Sequence, residues 1–338
     1  MNNRRVVITR LGGPEVLEEI EEPVPVPGPG QVRVRVLATG VAFADVLMRY
    51  GLYPGVPKIP YSPGYDIVGV VDALGEGVTE PAAQETVAAL IRFGGYSQYV
   101  VAPAQELVHV PGGLDPAEAV SLILNYTTAS QLLFRFGNLR PGSKVLIHGA
   151  AGGVGTAALE LGKLRCLELY GTASKSKHAT VCRLGGTPID YQTQDFVDVI
   201  RRMTGAGVDL VLDGVGSWNF LRSYRTLRPG GKLLAYGMSA VVVGGTASRA
   251  AGLMSFALLG LLRALPDGKS ARWYNITTEK KRRPEWFRED LSALFGLLAE
   301  GKIKPIVSER LPLRQARIAN QLIEKAAVTG KVVLLCQE

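Results

Sequence analysis

The stretch from Lys144 to Leu161 constrains this 338-residue chain more than any other. Lys144-Val145-Leu146-Ile147-His148 is short, apolar and partly β-branched, the composition of a buried parallel strand. Thr156-Ala157-Ala158-Leu159-Glu160-Leu161 continues mostly in helix formers. Between them Gly149, Gly152 and Gly155 recur at every third position, with Gly153 and Val154 inside the same turn. Positions without a side chain let a backbone turn sharply and approach a ligand closely, and the helix that follows offers unpaired N–H groups suited to a pyrophosphate. Ala150 stands where the usual fingerprint has its first glycine. The motif is therefore read from its strand–turn–helix setting rather than from its spelling.

That setting repeats along the chain. Residues 166–171, 188–191, 208–213 and 232–237 read as further strands, and 177–184, 194–203 and 218–227 as helices between them. Arg228-Pro229-Gly230-Gly231 closes the last helix. Repeated strand–helix–strand order predicts an α/β domain with a doubly wound parallel sheet, in which a ligand lies along the carboxyl ends of the strands. Gly171 to Ser174, Asp213 to Gly216, and Gly237 to Ser239 are its expected neighbours. NAD sites place an Asp or Glu about 20 residues beyond the glycine turn, to hold the ribose 2′-hydroxyl. Here Thr172-Ala173-Ser174-Lys175-Ser176-Lys177-His178 occupies that place. Hydroxyls and ammonium groups hold a 2′-phosphate that a carboxylate would repel, so the expected cofactor is NADPH. The plainer alternative is that Lys175 and Lys177 only solvate a helix start.

The first third is organised differently. Residues 6–9 and 31–37 read as strands, the latter alternating cleanly as Val32-Arg33-Val34-Arg35-Val36. Pro23 to Gly30 is too proline-rich for a helix and reads as a surface loop, and 67–73 and 86–91 extend a β-rich pattern. The join to the α/β domain is expected near Asn125 to Ala129.

These residues together resemble the zinc-independent quinone oxidoreductases of the medium-chain dehydrogenase/reductase superfamily. The resemblance is carried in order by Gly40-Val41-Ala42-Phe43-Ala44-Asp45, Arg49 to Pro54, Phe93-Gly94-Gly95-Tyr96-Ser97, Asn125 to Ala129 and His148 to Gly155. Gly171 to Ser174, Lys177-His178, Ile189-Asp190-Tyr191 and Gly330 to Leu335 are similar to the branch containing the vesicle amine transport protein 1 homologues. The resemblance implies a GroES-like β-rich catalytic domain (residues 1–124 and 278–338) and a Rossmann domain that binds NADPH (residues 125–277). It implies hydride transfer to a quinone, alkenal or related enone, in a homodimer joined near residues 271–277. It also implies that Thr128, Gly152, Gly153, Val154 and Gly155 line the nicotinamide and pyrophosphate, and that Ser174, Lys177 and Tyr191 surround the 2′-phosphate. Gly237 and Lys331 complete the expected cofactor contacts, and Ala42, Phe43 and Tyr53 border the substrate.

Metal use is argued from the residues. Cys166, Cys182 and Cys336 are too scattered for a structural zinc lobe, and Gly64-Tyr65-Asp66 stands where zinc-dependent relatives carry a histidine. No metal is expected, and His148 is read as a satisfied core imidazole. Two residues are candidates for the chemistry. Tyr53 either donates its phenol proton to the developing oxyanion or serves as an amphipathic wall, with water delivering the proton. Asn125 either orients a carbonyl or caps a helix starting at Tyr126. Asp45 reads as a structural acceptor. Family members carry asparagine where this chain has Ala42, which puts quinone turnover in doubt. Gln84-Glu85-Thr86-Val87 replaces a usual Gly-Asp-Arg-Val, so a surface ion pair is expected to be missing.

The formal net charge of +8 is dispersed. Only Lys280-Lys281-Arg282-Arg283 is dense; it is read as a solvated loop, and no nucleic-acid partner is expected. Scattered cysteines and the absence of a secretory h-region point to the cytoplasm. The apolar run Ala250–Leu262 is too short to span a bilayer and reads as a helix at the substrate cleft or a dimer interface, or resting on an anionic membrane. The second functional reading is accordingly a nucleotide-binding scaffold with weak catalysis, acting through membrane, RNA or protein contacts.

Overall fold

The computed structural model describes residues 2–337. It divides into two units, residues up to 127 together with those from 280 onward, and residues 128–279.

The second unit is built on six parallel strands. Across the sheet they run Gly186–Asp190, Glu168–Ala173, Lys144–His148, Val208–Asp213, Leu227–Ala235 and Ser270–Trp273. Numbered by their order in the chain this is 3-2-1-4-5-6, the order of a dinucleotide-binding Rossmann sheet. Its switch point falls between Lys144–His148 and Val208–Asp213, whose carboxyl ends carry the glycine turn and Asp213. The central strands are apolar because the sheet is covered on both sides: Val145, Leu146, Ile147, Leu210, Val211 and Leu212 are all fully buried. Phe196, Ile200, Phe220, Tyr224 and Leu233 close one core around them. Each such side chain contributes roughly 1.5–3 kcal/mol on burial.

The first unit contains a seven-stranded sheet. Its path runs Val307–Pro312, Lys331–Leu335, Gln31–Val41, Asp66–Leu74, Thr86–Leu90 and Val108–His109, with Tyr99–Pro103 pairing off Gln31–Val41. The C-terminal strand completes the N-terminal sheet by antiparallel pairing of Val332 with Val41 and Leu335 with Ala38. The alternation read in the sequence is present, with Val32, Val34 and Val36 buried while Arg33 reaches Asp72 at 2.5 Å. Strand Leu17–Pro23 gives no strand signal in the sequence because it is rich in Glu; among the described residues it pairs with Asn2–Ile8 alone, so its acidic face stays wet.

Two expectations are corrected here, and the helix expected over 250–262 is present. The basic cluster is not a loop: Ile276–Arg282 is a helix, and Lys280 donates to the Leu90 carbonyl at 3.0 Å and to Glu106 at 2.8 Å. The surface ion pair expected to be missing at Glu85 is replaced by a contact with His109 Nδ1 at 2.6 Å. The apolar run at 250–262 lies in helix Arg249–Ala264, capped by Ser248, and Leu253, Phe256 and Leu261 are 74%, 49% and 59% exposed.

Candidate functional site

The glycine turn is shaped by steric necessity. Gly149 has φ +64°, in the left-handed region, where a side chain costs about 1 kcal/mol or more. Gly152 caps helix Gly153–Leu164, and its N–H donates to the Gly149 carbonyl at 2.8 Å. A Cβ at Gly155 would overlap the Gly149 carbonyl oxygen and the Ala150 backbone, so only glycine allows the turn to fold onto the helix start. The N–H groups of Gly153, Val154 and Gly155 sit in the first helical turn, have no intrahelical acceptor, and carry the positive end of the helix dipole. This arrangement suits a diphosphate.

The neighbouring strand ends add the rest of the cradle. Ser174 precedes and Lys177 ends a short helical turn after Glu168–Ala173; Lys177 is half-buried, and burial lowers its ammonium pKa. Tyr191 follows Gly186–Asp190 and is 56% exposed. Asp213 accepts from the N–H groups of Val215 and Gly216 at 2.8 and 3.2 Å, from Asn219 at 2.9 Å and from Ser223 at 2.6 Å, which fixes the loop at the switch point. A side chain at Gly237 would press on the Gly214 carbonyl, so this loop also needs glycine. His148 lies behind the turn, between Thr172 Oγ1 and Ser223 Oγ at 3.0 Å each. Burial depresses its pKa, which favours the neutral ring expected of a core imidazole. Thr128 is buried in this unit.

In the first unit the phenol oxygens of Tyr53 and Tyr65 lie 2.6 Å apart, with the rings edge to face. Tyr65 is 2% exposed, whereas Tyr53 is half-buried. The carbonyl of Tyr65 accepts from Ile91 and Arg92 N–H at 3.0 and 3.1 Å, and the Arg92 guanidinium stacks 5.3 Å from the Tyr53 ring centroid. Beneath this group Asp45, wholly buried, accepts from Ala42 N–H at 2.8 Å, Gly64 N–H at 3.1 Å and Tyr96 Oη at 3.0 Å. It ties the start of helix Phe43–Arg49 to the turn that presents Tyr65, as a structural acceptor should. Burial pushes its carboxyl up to about 6, partly offset by those hydrogen bonds. The network continues from Tyr96 to Asn320 at 3.2 Å, from Asn320 to Arg49 at 3.0 Å and from Arg49 to Glu324 at 2.8 Å.

Four further site residues had been expected. Asn125 does not cap a helix, because the helix begins at Pro116 under the Asp115 cap and Asn125 lies inside the wide turn Leu122–Tyr126. It is 7% exposed, and its amide makes no hydrogen bond among the described residues. Ala42 and Phe43 open helix Phe43–Arg49 and are partly exposed. Lys331 is 2% exposed in the first unit, packed under Gly40, with its ammonium 3.1 Å from Asp66, a buried ion pair. Tyr65 and Arg92 were missed: the sequence marked Tyr65 only as the place of an absent histidine, and Arg92 gave no signal.

Residues 28–112 match the alcohol dehydrogenase GroES-like domain, and residues 185–334 match the zinc-binding dehydrogenase family. The chain is 36% identical over 309 residues to the synaptic vesicle membrane protein VAT-1 homolog of Rattus norvegicus, covering 89% of this chain and 75% of that protein. It is 34% identical over 339 residues to a 2-haloacrylate reductase of a Burkholderia species, covering 98% of each. The Escherichia coli quinone oxidoreductase, whose structure was solved with NADPH, aligns with a TM-score of 0.88 at 27% identity over 98% of this chain and 100% of that one. Among the described residues no group of three or more His, Cys, Asp or Glu is arranged to hold a metal ion. No helix among them is long and apolar enough to cross a membrane.

Proposed function

The chain belongs to the medium-chain dehydrogenase/reductase superfamily, and on that premise we propose that it is an NADPH-dependent reductase of electron-poor alkenes and quinones. The observation that carries the reading is the glycine turn at the start of helix Gly153–Leu164, followed across the strand end by Ser174 and Lys177 with no carboxylate between them. When bound, NADPH supplies a hydride that, with one proton, reduces the acceptor and leaves NADP+. Gly153, Val154 and Gly155 N–H groups hold the diphosphate, and Ser174, Lys177 and Tyr191 hold the 2′-phosphate. Thr128 and Gly237 contact the same cofactor.

Ala42, Phe43 and Tyr53 border the acceptor. The Tyr53 phenol donates to the oxygen on which negative charge develops, and Tyr65, bonded to it, polarises that donor. The unpartnered amide of Asn125 orients the same carbonyl. The 2-haloacrylate reductase and quinone oxidoreductase relatives support an acceptor of this electronic kind. NADPH absorbance followed across a panel of 2-alkenals and quinones tests the proposal. Turnover of at least one class is expected. Tight NADPH binding with no oxidation across the panel would favour the scaffold reading instead.

The exposed Leu253, Phe256 and Leu261, in the helix that leads to edge strand Ser270–Trp273, favour a contact role for that face, which we assign to a homodimer of a cytoplasmic protein.

A further inference from the structure

We infer that Arg92 reads a carboxylate on the acceptor, so that the preferred substrates are α,β-unsaturated carboxylates. The inference deepens the reductase reading above and rests on it. Among the described residues Arg92 has no carboxylate at ion-pair distance. The guanidinium groups of Arg33, Arg49, Arg228 and Arg272 each hold one. What surrounds Arg92 instead fixes its position. The guanidinium stacks on Tyr53 and on Phe93, at 5.3 and 4.7 Å from the ring centroids, and Nη2 donates to the Pro54 carbonyl. Its Nε is buried without a partner.

The backbone is held as firmly. Arg92 has φ +70°, a conformation that costs a residue with a side chain about 1 kcal/mol or more, and its N–H is tied to the Tyr65 carbonyl. Gly55 passes beneath the fork, where a Cβ would come 3.3 Å from Nη2 and 3.7 Å from Nη1.

A cation held in place by aromatic stacking and a backbone carbonyl keeps donors for an anion. The ring under Arg92 is that of Tyr53, the proposed proton donor, so both donors serve one small group: Arg92 takes one carboxylate oxygen and the Tyr53 phenol the other. Charge moving onto that carboxylate during alkene reduction then meets a fixed cation, which a neutral enone would not use.

The test pairs 2-chloroacrylate with 2-hexenal, and adds calorimetric binding of the saturated acid 2-chloropropionate and its neutral amide. For Arg92→Met, kcat/KM for 2-chloroacrylate is expected to fall about 10- to 100-fold more than that for 2-hexenal. Arg92→Lys should recover part of the loss. The native protein should bind 2-chloropropionate but not the amide, a measurement independent of whether the variants fold. Equal losses for both substrates in Arg92→Met, or equal binding of acid and amide, would overturn the inference. Reduction of 2-hexenal without any binding of the acid would overturn it and leave the reductase reading standing. Binding of the acid that depends on Arg92, with no acceptor turned over, would uphold the carboxylate site and remove the reductase reading.

Discussion

Replacing Gly155 with Ala tests whether the turn geometry is what binds the cofactor. The added Cβ would overlap the Gly149 carbonyl oxygen and the Ala150 backbone. Neither is the tip of a side chain that can swing away, so the turn itself must shift. Overpacking of this kind costs about 1–3 kcal/mol, and the better helix propensity of Ala returns about 1 kcal/mol, so the variant should fold with a modest loss of stability. The larger effect falls on the N–H groups of Gly153, Val154 and Gly155. A hydrogen bond to a charged group is worth about 1.5–3 kcal/mol, so misplacing one weakens binding about 10- to 100-fold. Isothermal calorimetry should therefore show NADPH and NADH weakened by the same factor, because both carry the diphosphate. Gly149→Ala is the comparison: no atom lies within 4 Å of its added Cβ, and only the backbone cost at φ +64° applies. A folded Gly155→Ala protein that binds NADPH within twofold of native would refute the assignment of the diphosphate to this turn.

Two further outcomes are expected. Lys177→Ala should weaken NADPH about 10- to 100-fold and leave NADH nearly unchanged, since only the former carries the 2′-phosphate; equal losses in a binding titration would reject that role. Asp45 sets a pH dependence. Its carboxyl takes up a proton near pH 6 when folded and near 3.8 when unfolded, so the folded state gains relative stability as pH falls through that window. Compared with Asp45→Asn, native protein should gain up to roughly 3 kcal/mol between pH 7 and pH 4 in urea unfolding; parallel pH curves for the two would contradict it.

Periodicity made the second unit legible. Strands Lys144–His148 and Val208–Asp213 are buried on both faces and read as apolar runs with the bounds they have in the structure. Elements whose reason lies elsewhere in the chain were not legible. Strand Leu17–Pro23 is Glu-rich and makes sense only opposite Asn2–Ile8. Lys280 looks solvated until the Leu90 carbonyl and Glu106 are brought beside it. The ion pair of Lys331 leaves no trace in the sequence because its partner Asp66 stands 265 positions earlier. The cofactor loop could be read from one continuous segment. The proposed substrate wall could not, since Tyr53, Tyr65 and Arg92 meet only when three separate segments close, and no spacing rule connects them.

The central claim is that a nicotinamide held at the glycine turn reduces an alkene. It is tested most directly by reducing a 2-alkenal with NADPH carrying deuterium at both C4 positions of the nicotinamide and locating the label by mass spectrometry and NMR. One NADPH consumed per saturated product, with deuterium at the β-carbon, is the predicted result. A product unlabelled at that carbon, or no product while NADPH stays reduced, would contradict the account.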